Sequence, residues 1–263
     1  YKDQVVFIAE DDLWTFNLKD KVARRLTANL GMIRYPQFSP DGKQIAFTST
    51  EEGTSEVYII PSEGGEVTRL TYLGAYLFTL GWKGNKIIFA SSHTSALLGY
   101  YKLFEIDSEG GSPVELPYGR ANDISFGEKG VVLGRNTGNP ASWKRYRGGT
   151  AGYLLVDKNG DGKFKKLIDL KGNFAHPMWI GNRIYFVCDH EGIGNIYSCT
   201  PEGKDLQKHS NHKDFYARGA YSDGKSIIWH AGADLWLMDI KENKPRKLSF
   251  AYSSPMVQRQ RKF

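Results

Sequence analysis

Phe38-Ser39-Pro40-Asp41-Gly42-Lys43-Gln44-Ile45-Ala46-Phe47 is the stretch that decides the fold, because the rest of the chain repeats it in weaker form. Pro presets φ for a tight turn, and Gly accepts the positive φ that a side chain resists. An apolar run follows at once, so the unit reads strand, hairpin turn, strand. Degenerate copies are Tyr221-Ser-Asp-Gly-Lys-Ser-Ile-Ile-Trp229, Trp82-Lys-Gly-Asn-Lys-Ile-Ile-Phe89, Ile180-Gly-Asn-Arg-Ile-Tyr-Phe186 and Phe126-Gly-Glu-Lys-Gly-Val-Val-Leu133. Tyr1-Lys-Asp-Gln-Val-Val-Phe7 is a sixth copy, cut short at its start. The anchors Phe7, Phe47, Phe89, Leu133, Phe186 and Trp229 lie 40–53 residues apart. A period of that size marks four-stranded propeller blades.

After each anchor strand a third strand follows, as in Glu56-Val-Tyr-Ile-Ile60 and Asn195-Ile-Tyr-Ser-Cys199. A Gly- or Asp-rich hairpin such as Ser62-Glu-Gly-Gly65 then leads into a fourth strand such as Val67-Thr-Arg-Leu-Thr71. No segment holds a helical period over a dozen residues. The expected fold class is therefore all-β: one six-bladed β-propeller of four-stranded antiparallel blades. The blades fall at 1–33, 34–77, 78–120, 121–174, 175–216 and 217–254, with 255–263 as a closing strand or linker. The first blade starts at its second strand, so either the tail supplies the missing inner strand or residues before Tyr1 have been lost. The chain reads as a fragment of a larger protein.

Composition sets wide bounds. Of the 263 residues, 40% are hydrophobic and 13% aromatic, enough for a packed β core. No apolar run of about 18 residues marks a membrane span, and no signal-peptide pattern opens the chain. Cys188 and Cys199 read as free buried thiols on neighbouring strands of one blade, in keeping with a cytoplasmic protein. A net charge of +6 permits attraction to acidic partners but does not by itself indicate nucleic-acid binding.

In an antiparallel blade, the connection between strands two and three and the connection to the next blade lie at the same end. The long, irregular segments Ser91–Tyr101, Arg135–Gly152, Asp189–Gly194 and Ser210–Tyr216 all fall there, so that rim is the expected working face. Asp157-Lys-Asn-Gly-Asp-Gly162 matches the first half of a calcium loop, but Ile168 stands where a bidentate Glu belongs, and a hairpin is the better reading. His209-Ser-Asn-His212 offers two imidazoles without a third ligand, so no metal and no cofactor is expected. No Gly-x-Ser-x-Gly elbow or His-Glu-x-x-His pair is present, and no catalytic residue is assigned. The candidate binding residues are Arg135, Trp143, Lys144, Arg145, Tyr146 and Arg147, in the longest interruption of the repeat. Arginines that grip carboxylates beside rigid aromatic surface are typical of an interface hot spot.

That interruption also carries a resemblance. Arg135-Asn-Thr, followed by Trp143-Lys-x-Tyr-Arg-Gly-Gly-Thr-x-Gly152, resembles the fourth blade of the first propeller in the tricorn protease family. Glu10-Asp-Asp-Leu-Trp14 and Gly203-Lys-Asp-Leu-Gln-Lys-His209 are similar to it as well, and the likeness spans essentially the whole chain. It implies a noncatalytic propeller from a cytosolic, self-compartmentalising serine peptidase that gates or docks peptides. The peptidase region of that family lies in a later part of the polypeptide, so no catalytic residue carries over. The implied partners are peptides and the remaining domains of the parent, with homo-oligomers in the full-length protein, and neither nucleic acid nor membrane. The family's adjacent arginine pair, which holds a substrate carboxylate in the loop entering blade three, is replaced here by Leu73-Gly-Ala-Tyr-Leu-Phe78, leaving Arg147 or Lys144 as substitutes. The rival reading is a free-standing interaction propeller that binds a protein through its loop rim. A weaker one is a carbohydrate- or nucleic-acid-binding propeller using Trp143 and its basic neighbours.

Overall fold

The computed structural model describes residues 1–28, 30–97, 99–250 and 252–254. The founding turn forms as its residues dictate. The Ser39 amide donates to the Gln44 carbonyl at 2.8 Å, and the Gly42 amide to the Ser39 carbonyl at 2.9 Å. The Asp41 carboxylate takes the Ser39 hydroxyl at 2.7 Å and the Lys43 amide at 3.0 Å, so the side chains brace the turn from within. Gly42 sits at φ 74°, and a Cβ there would meet the Tyr1 ring at 2.1 Å. Only glycine satisfies both conditions.

Six consecutive antiparallel sheets follow, the blades of an all-β, six-bladed propeller, with no helix among the described residues. Among the described residues, Tyr1–Gly119 with those from Ser249 to Ser254 form one compact unit, and Arg120–Leu248 a second. In the first unit, blade one holds β1 (Gln4–Ala9), β2 (Asp12–Asn17) and β3 (Ala23–Arg25). Blade two holds β4 (Ile33–Phe38), β5 (Gln44–Ser49), β6 (Glu56–Pro61) and β7 (Thr68–Arg69). Blade three holds β8 (Leu77–Lys83), β9 (Lys86–Ser91), β10 (Lys102–Asp107) and β11 (Gly110–Arg120). In the second unit, blade four holds β12 (Asp123–Phe126), β13 (Val131–Arg135), β14 (Tyr153–Asp157) and β15 (Lys165–Lys166). Blade five holds β16 (Phe174–Ile180), β17 (Arg183–Cys188), β18 (Asn195–Cys199) and β19 (Gln207–Lys208). Blade six holds β20 (Ala217–Ser222), β21 (Ser226–Ala231), β22 (Asp234–Asp239) and β23 (Arg246–Lys247).

Blade one is three-stranded among the described residues, as its truncated repeat suggests; the closing role considered for 255–263 lies outside them. The six anchors are all buried, and within each unit apolar middle strands of neighbouring blades pack face to face. In the first unit Phe47, Ile45 and Tyr58 pack with Leu13, and Phe89, Ile87 and Phe104 with Ala46 and Val57. In the second, Phe186, Tyr197 and Phe174 pack with Val132 and Leu154, and Trp229 and Ile227 with Val187 and Ile196. Cys188 and Cys199 are free, buried thiols on adjacent strands of blade five; burial pushes them up to about 12 and about 11, so neither is a ready nucleophile.

Candidate functional site

Three of the four long connections lie in the second unit, and hydrogen bonds bring them together. The ladder between β13 and β14 closes at Arg135 and Tyr153, and residues 136–152 leave the sheet there. Asn136 starts the departure at φ 54°, its amide held by the Asn122 side chain at 2.9 Å. At the far end Gly152 lies so near the Phe174 carbonyl that a Cβ would fall 2.6 Å from it. Glycine is needed there for close approach, not for an unusual φ.

What fixes the loop is Asp189, fully buried at the end of β17. Its carboxylate accepts the Asn173 amide at 2.7 Å, the Arg145 amide at 3.2 Å and Arg147 Nη1 at 3.1 Å. Arg147 Nη2 also reaches the Asp189 carbonyl at 2.9 Å, and Nη1 the Tyr146 carbonyl at 2.9 Å. Asn173 adds a second brace, donating to the Tyr146 carbonyl at 2.8 Å and accepting from the Gly152 amide at 3.2 Å. A buried carboxylate is tolerated only when paired and hydrogen-bonded, and Arg147 completes that shell. The residue offered by the sequence as a substitute carboxylate anchor thus already grips a carboxylate of its own chain. The partner lies 42 residues away, beyond the reach of any local pattern.

The remaining candidates sort by this lock. Trp143 is 67% exposed and stacks on Tyr146 with ring centroids 4.1 Å apart, so it does not cap the blade-four core. Tyr146 is half-buried and takes the Thr150 hydroxyl at 3.0 Å. Lys144 is exposed with its ammonium 5.9 Å from the Tyr216 ring centroid. Arg145 is exposed at φ 60° and spends only Nε on the Gly192 carbonyl, at 3.3 Å, while the Tyr216 hydroxyl donates to the same carbonyl at 2.8 Å. Arg135 stands apart: it is half-buried with Nε out of solvent. The outward face of the loop is therefore Trp143, Lys144 and Arg145, backed by Tyr146 and held by Arg147. Exposed Phe215 lies on the neighbouring 209–216 connection.

The hairpin reading of 157–162 is what forms: the Asp157 carboxylate accepts the amides of Asn159, Gly160, Asp161 and Gly162. No grouping of three or more His, Cys, Asp or Glu placed to hold a metal occurs among the described residues. A juxtaposition that sequence reading missed is Ser198, His209 and Asn243. The Ser198 hydroxyl lies 2.7 Å from His209 Nε2, and His209 Nδ1 lies 2.6 Å from Asn243 Oδ1. It has the order of a nucleophile, base and orienting group. Yet Ser198 is fully buried and accepts Arg183 Nε at 2.8 Å, so no substrate reaches it and its role is to tie blade five to blade six.

The family described as the tricorn protease N-terminal beta propeller domain matches residues 1–244. Tricorn protease homolog 1 of Streptomyces coelicolor is 38% identical over 258 residues, covering 96% of this chain and 24% of that protein. Tricorn protease of Thermoplasma acidophilum is 35% identical over 261 residues, covering 94% of this chain and 24% of that protein. A solved structure of the tricorn protease superposes with a TM-score of 0.90 at 32% identity, over 97% of this chain and 26% of that one. The chain thus spans about a quarter of the length of the relatives it matches.

Proposed function

The chain belongs to the tricorn protease N-terminal β-propeller family, and from that premise we propose that it is the noncatalytic propeller of a tricorn-type serine peptidase, docking or gating peptides and the rest of its parent on the loop rim. The observation that carries this reading is the lock on 136–152. A loop with no part in blade packing is fixed by a buried carboxylate, so that an indole, an ammonium and a guanidinium project outward. Preorganising such a surface lowers the ordering cost of binding, and an aromatic beside cations suits acidic or carboxylate-bearing partners. The parent is read as a cytoplasmic peptidase that assembles as a homo-oligomer; no helix of the described residues is long and apolar enough to cross a membrane. Arg147 leaves the contact set and becomes its positioning residue.

The double variant Lys144→Ser, Arg145→Ser tests this. Calorimetry with an acidic peptide, or with the remainder of the parent enzyme, should show binding weakened by at most roughly 1.5–3 kcal/mol per lost charged hydrogen bond. The wild-type affinity should fall with salt, since exposed charge contacts are screened. Unchanged affinity in the double variant would sink the reading.

A further inference from the structure

We propose that the connections before β8 and between β9 and β10 form a second docking surface, which takes the apolar side chains of a peptide rather than its charges. Residues 70–82 and 87–101 contain no Asp, Glu, Lys, Arg, Asn or Gln, in a chain that is 24% charged. Their connections nevertheless face water. Tyr72, Tyr76 and Leu97 are between 65% and 74% exposed, and Tyr100 is exposed too. The short turns at the opposite end of blades two and three keep their charges, as in Ser39-Pro-Asp-Gly-Lys43, Ser62-Glu-Gly-Gly-Glu66 and Asp107-Ser-Glu-Gly110. Loss of charge together with exposed tyrosine is the composition of an interface core.

Behind the exposed residues the rings are organised. Phe78 meets Tyr101 edge-on with centroids 5.0 Å apart, and lies 5.6 Å from the ring of Tyr35 on β4. All three are half-buried. Burial, and then the phenols of Tyr35 and Tyr76, hold the Tyr101 hydroxyl above its ordinary value, so exposed Tyr76 belongs to the same group. Tyr35 reaches Phe78 from a bulge between Arg34 and Gln37 that sets it at φ 55°. The matching bulge of blade six, between Arg218 and Tyr221, has Gly219 at φ 54°. A tyrosine kept where glycine sits without strain points to a use for its side chain. The connections themselves are pinned. The Gly74 amide donates to buried Glu56 at 2.9 Å, and the Ser92 amide to the Tyr76 carbonyl at 3.1 Å. The Arg69 guanidinium covers the Tyr72 ring at 4.3 Å.

This chemistry selects the occupant. Two cations border the surface, but Arg69 is spent on Glu52, and Arg34 turns its guanidinium to Met32 Sδ at 3.7 Å. Little is left to hold an acidic peptide or a nucleic acid. A sugar would ask for carboxylates or carboxamides, which both stretches lack. What remains is apolar contact, with phenol and serine hydroxyls to meet the amides of the occupant. Tyrosine also suits an occupant that comes and goes: its hydroxyl wets the empty surface, and its ring gives contact area at low cost in side-chain entropy. A peptide with leucine or aromatic side chains and no charge meets these conditions.

The inference rests on the docking reading only for taking a peptide as occupant, and its probe carries no charge for Lys144 and Arg145 to attract. Acetyl-Ala-Leu-Phe-Ala-amide is titrated into the ¹⁵N-labelled full chain while backbone amide resonances are followed. Saturable shifts are expected at Tyr72, Tyr76, Leu97 and Tyr101. Acetyl-Ala-Ala-Ala-Ala-amide and acetyl-Ala-Glu-Glu-Ala-amide should leave those resonances in place. Tyr76→Ser with Leu97→Ser exchanges exposed residues, so the melting temperature should hold while the probe binds at least about fivefold more weakly. The Lys144→Ser, Arg145→Ser variant should bind the probe as the wild type does, whatever its affinity for acidic partners. No shift up to the solubility of the probe, shifts centred on Trp143, or equal shifts with the alanine peptide overturn the proposal. So do shifts of the same resonances when the chain is concentrated without peptide, which would make a second copy the occupant.

Discussion

Arg147 and its neighbours Lys144 and Arg145 carry the same charge on one loop, yet the fold uses them differently. Arg147→Ser leaves fully buried Asp189 without its guanidinium, and should cost roughly 1.5–3 kcal/mol of stability in urea denaturation. Lys144→Ser and Arg145→Ser touch exposed side chains, and each should stay within about 0.5 kcal/mol of wild type. Equal costs at all three positions would remove the distinction between anchor and contact. Titration is also decided residue by residue. Burial holds all six histidines (His93, His176, His190, His209, His212 and His230) below the ordinary value, His176 down to about 4. Their neutral forms are favoured in the fold, so the stability they contribute is present above pH about 6.5 and lost as pH falls toward their folded values. Burial pushes Asp123 up to about 7, the opposite sense: its contribution is present below about pH 4 and lost as pH rises through about 7. The two slopes oppose each other across that window. Asp123→Asn removes one of them, so stability of the variant should climb more steeply between pH 4 and 7 than that of wild type. Denaturant midpoints at a series of pH values would check the slope.

At the level of elements, the blades were legible because turn and strand are local. Pro-Asp-Gly followed by an apolar run fixes a hairpin through φ preferences alone, and third strands such as Asn195–Cys199 begin and end where the repeat places them. Loop length was equally plain, so the rim that carries the long connections could be named. Pairings across blades were not, since nothing near Arg147 in sequence announces Asp189, and nothing near Ser198 announces Asn243. The hydroxyl that follows the fourth strand, Thr27, Thr71 or Ser210, lies between these cases. It can be read in Arg69-Leu70-Thr71 and Lys208-His209-Ser210, but its meaning emerges only with its acceptor. The Val57 amide donates to Thr71 Oγ1 at 2.8 Å while that hydroxyl donates to buried Glu56 at 2.5 Å, and Leu13, Thr27 and Asp12 repeat the pattern at 2.9 Å in both bonds. Blade five uses Ile196, Ser210 and Asn195. Thr71→Val keeps the shape and removes both bonds, leaving a buried amide unpaired, and should cost roughly 1–3 kcal/mol. Ser210→Ala removes the equivalent bonds to Ile196 and Asn195 and should cost about as much. Thermal unfolding of the two variants checks both costs.

At the scale of the whole molecule, the first blade depends on residues from the other end of the chain. Phe250 stacks on Phe16 with centroids 4.4 Å apart and meets Phe7 edge-on at 5.1 Å. Tyr252 meets Trp14 at 5.3 Å, and Ser254 is hydrogen-bonded to Glu10. Blade one has three strands among the described residues, and these rings cover apolar surface on β1 and β2; Phe16 and Trp14 are only 2% and 4% exposed. Burying a large apolar side chain is worth about 1.5–3 kcal/mol, with a further contribution from paired rings. Two truncations therefore differ sharply. Removing 255–263 leaves the aromatic clasp intact and should change the melting temperature little. Removing 250–263 strips Phe250 and Tyr252 from blade one and uncovers Phe16, a loss of about 3–5 kcal/mol, which for a chain of this size corresponds to roughly 6–20 °C. Differential scanning calorimetry of both truncations decides the matter. A fall of 10 °C or more already in the shorter truncation would show that 255–263 completes the blade, and no fall in the longer one would show that the aromatic contacts add nothing to stability.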